Sequence, residues 1–177
     1  IFHMVKDLKQ NSTKESILYS NILLLSRNII FYTKFDLGDT FQNRIHLIFL
    51  HISFIFNKVK HNTLSTKYKI FYQKVFDIIF NQIELNMREL GYGDVSVNKN
   101  MKLLVKSFYN ILLYCENYKL KTDESKGAFF AKYLELNNKG KMANNAPLIK
   151  YFNTFHSFCF DLNSDSVLQG KLNFKYN

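Results

Sequence analysis

Residues 87–102 read Met-Arg-Glu-Leu-Gly-Tyr-Gly-Asp-Val-Ser-Val-Asn-Lys-Asn-Met-Lys, and the reading of this stretch decides the fold. An apolar-periodic segment ends in Arg88-Glu89-Leu90-Gly91, and a second begins at Met101. Gly91 stands where a helix places a left-handed residue after its last turn, because without a Cβ it reaches φ > 0 at little cost. Arg88 suits the negative end of the helix dipole. Gly93 permits a second tight turn, Asp94 can accept backbone N–H bonds, and Ser96 or Asn98 can cap the helix that follows. The spacing predicts two core helices joined by a turn of specified shape.

The same periodicity continues outward on both sides. Upstream, Ile17, Leu18, Ile22, Leu25, Ile29 and Tyr32 recur at helical spacing. Asp36–Thr40 then makes a turn in which Asp39 is the expected N-cap, with Gln42 three residues on. Phe41–Val59 is the most apolar segment, a helix buried on most sides. It falls short of the roughly 18 apolar residues of a membrane span and is interrupted by His46 and His51. Tyr68, Phe71, Val75, Ile78, Ile79 and Ile83 mark the helix leading into the hinge. Met101, Leu104, Val105, Phe108, Ile111, Leu112, Cys115 and Tyr118 form the stripe leading out of it. Downstream, Asp123 is expected to cap a shorter helix stopped by Asn137-Asn138 and Gly140, and Pro147 suits the first turn of a last one.

No strand pair or repeat is visible. The expected fold is all-α, a single bundle of five to six mostly antiparallel helices at about 15–35, 40–60, 64–90, 99–120, 123–137 and 146–161. The 41–59 helix should be central, and Phe49, Ile52, Ile78, Leu104 and Phe108 nearly fully buried. Residues 1–14 read as an irregular lead-in, 15–163 as the helical domain and 164–177 as a weakly patterned tail.

A chain of 177 residues fits one domain, and 47% hydrophobic content with a single proline excludes a disordered one. The net charge of +10 favours an anionic partner: acidic lipid, RNA or an acidic protein surface. Cys115 and Cys159 fall on apolar stripes without metal or redox spacing, and read as core residues in a reducing compartment. Ile1-Phe2-His3 precede Met4, which predicts a fragment or a reading past the true start, with no signal peptide in what is shown.

Chemistry-bearing constellations are scarce. His46 and His51 stand about 140° apart around a helix and share no face, whereas a zinc pair wants i, i+4 spacing and a third ligand. No metal is expected, and His51 reads as a satisfied core histidine. Gly91-Tyr92-Gly93-Asp94 follows no strand and lacks the Lys-Ser/Thr ending of a phosphate loop. No Ser/His/Asp or Cys/His set stands in a catalytic context, so neither an enzyme nor a cofactor is expected. Lys58, Lys60, Lys67, Lys69 and Lys74 form a candidate basic docking face. Arg88, Glu89, Gly91, Gly93, Asp94, Lys99, Lys102 and Lys106 form a candidate client- or partner-binding set at the hinge. The aromatics fall on core stripes, not between exposed lysines, which weakens a base-stacking reading.

The hinge also carries a resemblance. Met87-Arg88-Glu89-Leu90-Gly91, Gly93-Asp94, Val97, Lys99 and Met101-Lys102, followed by Phe108-Tyr109, resemble the signature of the ubiquinol–cytochrome c chaperone family. Phe31-Tyr32, Leu37-Gly38-Asp39-Thr40-Phe41, Arg44, Leu47, Leu50-His51 and Lys58 are similar to its other block. The likeness spans about Tyr19 to Tyr118. Gln42-Asn43 departs from the acidic residue and glycine usual there, and residues after Asp123 match loosely. The resemblance implies structural motif roles for Asp39, Thr40, Arg44 and His51. It further implies an assembly chaperone, with no catalytic residues, that binds newly made cytochrome b during biogenesis of the cytochrome bc1 complex. Ribosome or anionic inner-membrane surface would be further partners. The location implied is cytoplasmic and peripheral to the inner membrane in a bacterium, or the matrix side in a mitochondrion. The alternative is a basic helical RNA- or ribosome-binding module.

Overall fold

The axis of the molecule is helix α3 (Phe41–Lys60), buried along nearly its whole length from Ile45 to Phe56. The computed structural model describes residues 13–60, 66–137 and 145–177. Around α3 stand α1 (Lys14–Ser26), the single turn α2 (Ile30–Thr33), α4 (Thr66–Glu89), α5 (Asp94–Glu116), α6 (Asp123–Tyr133), α7 (Ala146–Asp161) and α8 (Ser164–Leu168). Among the described residues there is no strand, only an isolated bridge between Leu37 and Leu136. The fold is all-α, and six of its helices are the long ones expected from the sequence.

Ring contacts give the helix directions. Phe56 meets Tyr72 and Phe49 meets Phe80, so α4 runs back along α3. Phe76 meets Phe108 and Tyr109, so α5 is antiparallel to α4. The Asn57 amide donates to the Leu112 carbonyl (3.2 Å), and His51, Phe54 and Lys58 face Tyr151, Phe155 and Phe160 in turn. Both α5 and α7 therefore run parallel to α3, while sequence neighbours α3–α4 and α4–α5 are antiparallel. Phe49, Ile52, Leu104 and Phe108 are buried as expected; Ile78 is only partly buried, and its neighbour Ile79 takes the core position.

Several boundaries differ from the sequence reading. The expected 15–35 helix breaks at Arg27–Ile29, and Ile17 and Ile29 face solvent while Tyr19 and Leu23 turn inward. Thr40, not Asp39, caps α3: its Oγ1 accepts from the Asn43 N–H at 3.1 Å. Thr122, not Asp123, caps α6. That helix ends at Tyr133, after which Leu134–Asn137 run out to the bridge with Leu37. The expected stop at Asn138 and Gly140, the start of the 64–90 helix and the 1–14 lead-in lie wholly or partly outside the described residues. Pro147 does occupy the first turn of α7.

The tail is part of the core. Val167, Leu168, Leu172 and Phe174 are buried, and Phe174 packs on Tyr151, Phe155 and Phe158. Gly170, at φ +77°, lies so close to α1 that a Cβ there would come within 2.6 Å of the Lys14 carbonyl oxygen.

At the hinge, the Gly91 N–H bonds the Arg88 carbonyl (3.0 Å) and the Tyr92 N–H bonds the Met87 carbonyl (3.1 Å), the paired bonds of a Schellman ending. Gly91 sits at φ +90° with nothing within 4 Å of a built Cβ. Gly91→Val should thus cost at least about 1–2 kcal/mol from the left-handed backbone alone, without a clash. Chemical denaturation checks this, and an unchanged midpoint would contradict it. Gly93 differs from its expected role: at φ −74° and ψ 164° it is an extended N-cap, and α5 begins at once with Asp94. Ser96 and Asn98 lie inside the helix and do not cap it.

Candidate functional site

Two neighbourhoods carry the residues singled out in the sequence. In the first, Asp36–Thr40 docks onto the chain leaving α6. The Arg44 guanidinium grips the Asp39 carboxylate through two bonds, at 2.7 and 2.8 Å. It thereby holds the Asp39 carboxyl below the usual carboxylate range. Behind this fork lies Asn43, fully buried. Its amide donates to the carbonyls of Gly38 (2.7 Å) and Glu135 (2.8 Å), and its oxygen accepts from the Glu135 N–H (2.9 Å). The Gly38 N–H completes the junction by donating to Glu135 (3.0 Å). Asn43 is the residue the sequence reading missed; it stood out only as a departure from the family pattern.

Both histidines of α3 are engaged structurally. Nδ1–H of His51 donates to the Leu47 carbonyl (2.6 Å), so its Nε2 accepts from the Tyr151 hydroxyl (2.7 Å). Burial among Phe31, Phe152 and Phe155 pushes the His51 pKa down to about 4. His46 bonds the Tyr133 carbonyl (2.6 Å) and the Gln42 side chain (3.0 Å), and burial lowers its pKa too. Asp39, Thr40, Arg44 and His51 each make hydrogen bonds within the fold. Among the described residues no set of three His, Cys, Asp or Glu side chains is placed to hold a metal ion. Cys115 and Cys159 are free and buried, and burial raises both thiol pKa values.

The second neighbourhood is the tip of the α4–α5 hairpin. Arg88 bridges Glu84 (3.0 Å) and Asp94 (2.5 Å), clamping the turn across its open side. Asp94 is largely open to water and Arg88 and Glu84 partly so, so the clamp orients the turn without adding much stability. Around it Leu90, Tyr92 and Val95 are exposed, Val95 at 85%. Lys99, Lys102 and Lys106 are exposed along α5, with exposed Leu103 among them. Glu89 and Gly93 are exposed at the same tip. Exposed apolar and basic side chains thus lie together along the tip and the first turns of α5.

The two lysine groups do not form one face. Because α4 and α5 are antiparallel, Lys67, Lys69 and Lys74 lie toward the far end of the hairpin from Lys99 and Lys102. Lys58 donates to the Phe160 carbonyl at the end of α7 (2.6 Å), and Lys60 pairs with Glu116. Their ammonium groups are engaged by the bundle itself. No described helix is long and apolar enough to cross a membrane.

Comparison with known proteins bears on this arrangement. The family model for the ubiquinol-cytochrome C chaperone matches residues 33–174. The matched range takes in both neighbourhoods and most of the tail. The chain is also similar to the crystal structure of the Cbp3 homolog from Brucella abortus, with a TM-score of 0.79 and 21% identity. That match covers 97% of this chain and 93% of that one, and establishes a shared fold. A comparison with curated protein sequences finds no match.

Proposed function

Because the chain belongs to the ubiquinol–cytochrome c chaperone family, we propose that it assists biogenesis of the cytochrome bc1 complex by binding newly made cytochrome b. The role is non-catalytic: the protein holds its client by non-covalent contact. The observation that carries this reading is the α4–α5 tip. Leu90, Tyr92, Val95 and Leu103 lie exposed on it beside Lys99, Lys102 and Lys106. Exposed apolar residues clustered among charges mark protein interaction surfaces, and a subunit not yet in its membrane complex offers apolar surface to match. The lysines favour an anionic neighbour as well, such as the inner-membrane surface beside which such a client is assembled. Peripheral attachment there, with no spanning helix of its own, fits this work.

Replacing Lys99, Lys102 and Lys106 together by Glu tests the role of the tip. All three are exposed on α5, so the thermal midpoint should be nearly unchanged. Assembly of the bc1 complex in a strain dependent on this protein should fail. Normal assembly with all three reversed would move the client surface elsewhere. An Asp94→Asn variant separates clamp from contact: a folded protein that no longer supports assembly places the carboxylate against the client.

A further inference from the structure

Far from the hinge, the ends of α6 and α7 and the 3₁₀ turn Tyr118–Leu120 enclose a cleft of about 340 Å³. Its walls include Tyr118, Lys119, Lys126, Asn153, His156 and Asp161. Lys126 is its centre. This residue is only 7% exposed, and what it does expose lines the cleft. Its Nζ donates to the Asn153 amide oxygen (3.0 Å) and lies 4.4 Å from the centre of the Tyr118 ring. Both partners are neutral, and among the described residues no carboxylate pairs with it.

The surroundings add positive charge. Lys119 lines the same cleft, and Asp161 is the one acid on its wall. Lys58 stands at the rim, where both it and Lys119 lie over the ring of the exposed Phe160. Within the cleft two ammonium groups, those of Lys126 and Lys119, stand against one carboxylate. The His156 pKa is lowered by burial first and then by Lys126 and Lys119, which reports the same positive field. The hydroxyl of Tyr118, buried in the same wall, has no hydrogen-bond partner among the described residues. A chain with a lysine-biased composition would place such residues at the surface, each in water. Burial of one, with a second beside it, is the mark of a site.

We infer that the cleft between α6 and α7 binds a phosphate group, with Lys126 and Lys119 as its cationic donors and Asn153 fixing the Lys126 ammonium. A phosphate carries roughly −1.5 to −2 charges at neutral pH, which suits two lysines better than a single carboxylate does. Because the group is small and the cleft open, free phosphate and the phosphate of a larger molecule present the same chemistry. This inference is independent of the client surface at the α4–α5 tip.

Titration calorimetry on the full chain tests it, using inorganic phosphate at constant pH and ionic strength. Saturable binding is expected, weakened about tenfold or more in Lys126→Met and clearly in Lys119→Gln, since a charge-assisted bond is lost in each. Lys34→Gln, exposed beside Pro147 at the opposite end of α7, should bind as the wild type does. If Lys126→Met does not fold, Lys119→Gln, which is exposed, decides alone. Glycerol 3-phosphate in a second arm distinguishes the sources: binding at least as tight as inorganic phosphate assigns the site to phosphate esters, and weaker binding assigns it to the free ion. No saturable phosphate binding, binding indifferent to Lys119→Gln, or equally tight binding of acetate would overturn the assignment.

Discussion

Phe108→Ala should remove about 3–5 kcal/mol of stability, the range for deleting a buried aromatic side chain, against a total of roughly 5–15 kcal/mol for a domain. The reason lies in its neighbours. Phe108 is 1% exposed, and its ring meets Phe49 at 5.3 Å, Phe76 at 5.5 Å, Phe80 at 5.8 Å and Phe56 at 6.3 Å. Those rings come from α3 and α4, so one side chain of α5 ties three helices together. The cavity left behind would be lined by rigid aromatics that cannot easily collapse into it. Urea unfolding gives the value directly. A loss below about 1 kcal/mol would mean that α5 does not pack on α3 and α4 as described.

Acid should destabilise the protein through His51. The unfolded imidazole takes its proton near pH 6.5, whereas the folded one does so only near 4. Stability from this group is therefore whole above pH 6.5, falls as the pH drops, and stops falling below about 4. The pKa difference corresponds to a loss on the order of 3 kcal/mol across that window. The cause is local: a charged ring would sit among Phe31, Phe152 and Phe155, and its Nε2 would become a donor facing a tyrosine hydroxyl now donating to it. His46 and His156 are shifted in the same direction, so the test is a comparison of slopes. His51→Gln should be less stable overall yet show a flatter fall of unfolding free energy between pH 6.5 and 4. Equal slopes would mean that His51 does not titrate as its burial requires.

How much of this could be read beforehand depended on the kind of signal. The α4–α5 pairing was legible because Val75, Ile79 and Ile83 on one side and Leu104, Phe108 and Ile111 on the other keep helical phase up to a glycine with positive φ. Two caps were misplaced by one residue, since Asp39-Thr40 and Thr122-Asp123 each offer two good capping side chains in tandem. Ile78 and Ile79 are chemically identical neighbours, and only the rotation of α4 decides which enters the core. The break after Ser26 left no mark, because Ile29 continues the apolar spacing while pointing into solvent. The buried tail was invisible for a different reason. Leu172 and Phe174 lie outside any helix, and Phe174 owes its burial to α7, a long-range contact with no periodicity of its own.

The candidate sites show the same division. Arg88 and Asp94, six positions apart in the sequence, meet because the glycine-shaped turn brings their ends together. Lys67, Lys69 and Lys74 stand apart from Lys99 and Lys102 in the sequence, and the fold keeps them apart along the hairpin. Asn43 was hidden because two of its three bonds reach across to Glu135, and nothing local announces a partner so distant in the sequence. The α6–α7 cleft likewise exists only once both helices are in place.

The central claim, that the α4–α5 tip serves a chaperone for cytochrome b, is tested most directly by co-purification. A tagged copy, expressed in cells that assemble the cytochrome bc1 complex and lack their own family member, is recovered by mild lysis and treated with nuclease. Cytochrome b should be retained after nuclease treatment by the wild-type protein and lost by the variant with Lys99, Lys102 and Lys106 replaced by Glu. Recovery of ribosomal components alone, released by nuclease and without cytochrome b, would contradict the account and leave a basic helical RNA-binding module in its place.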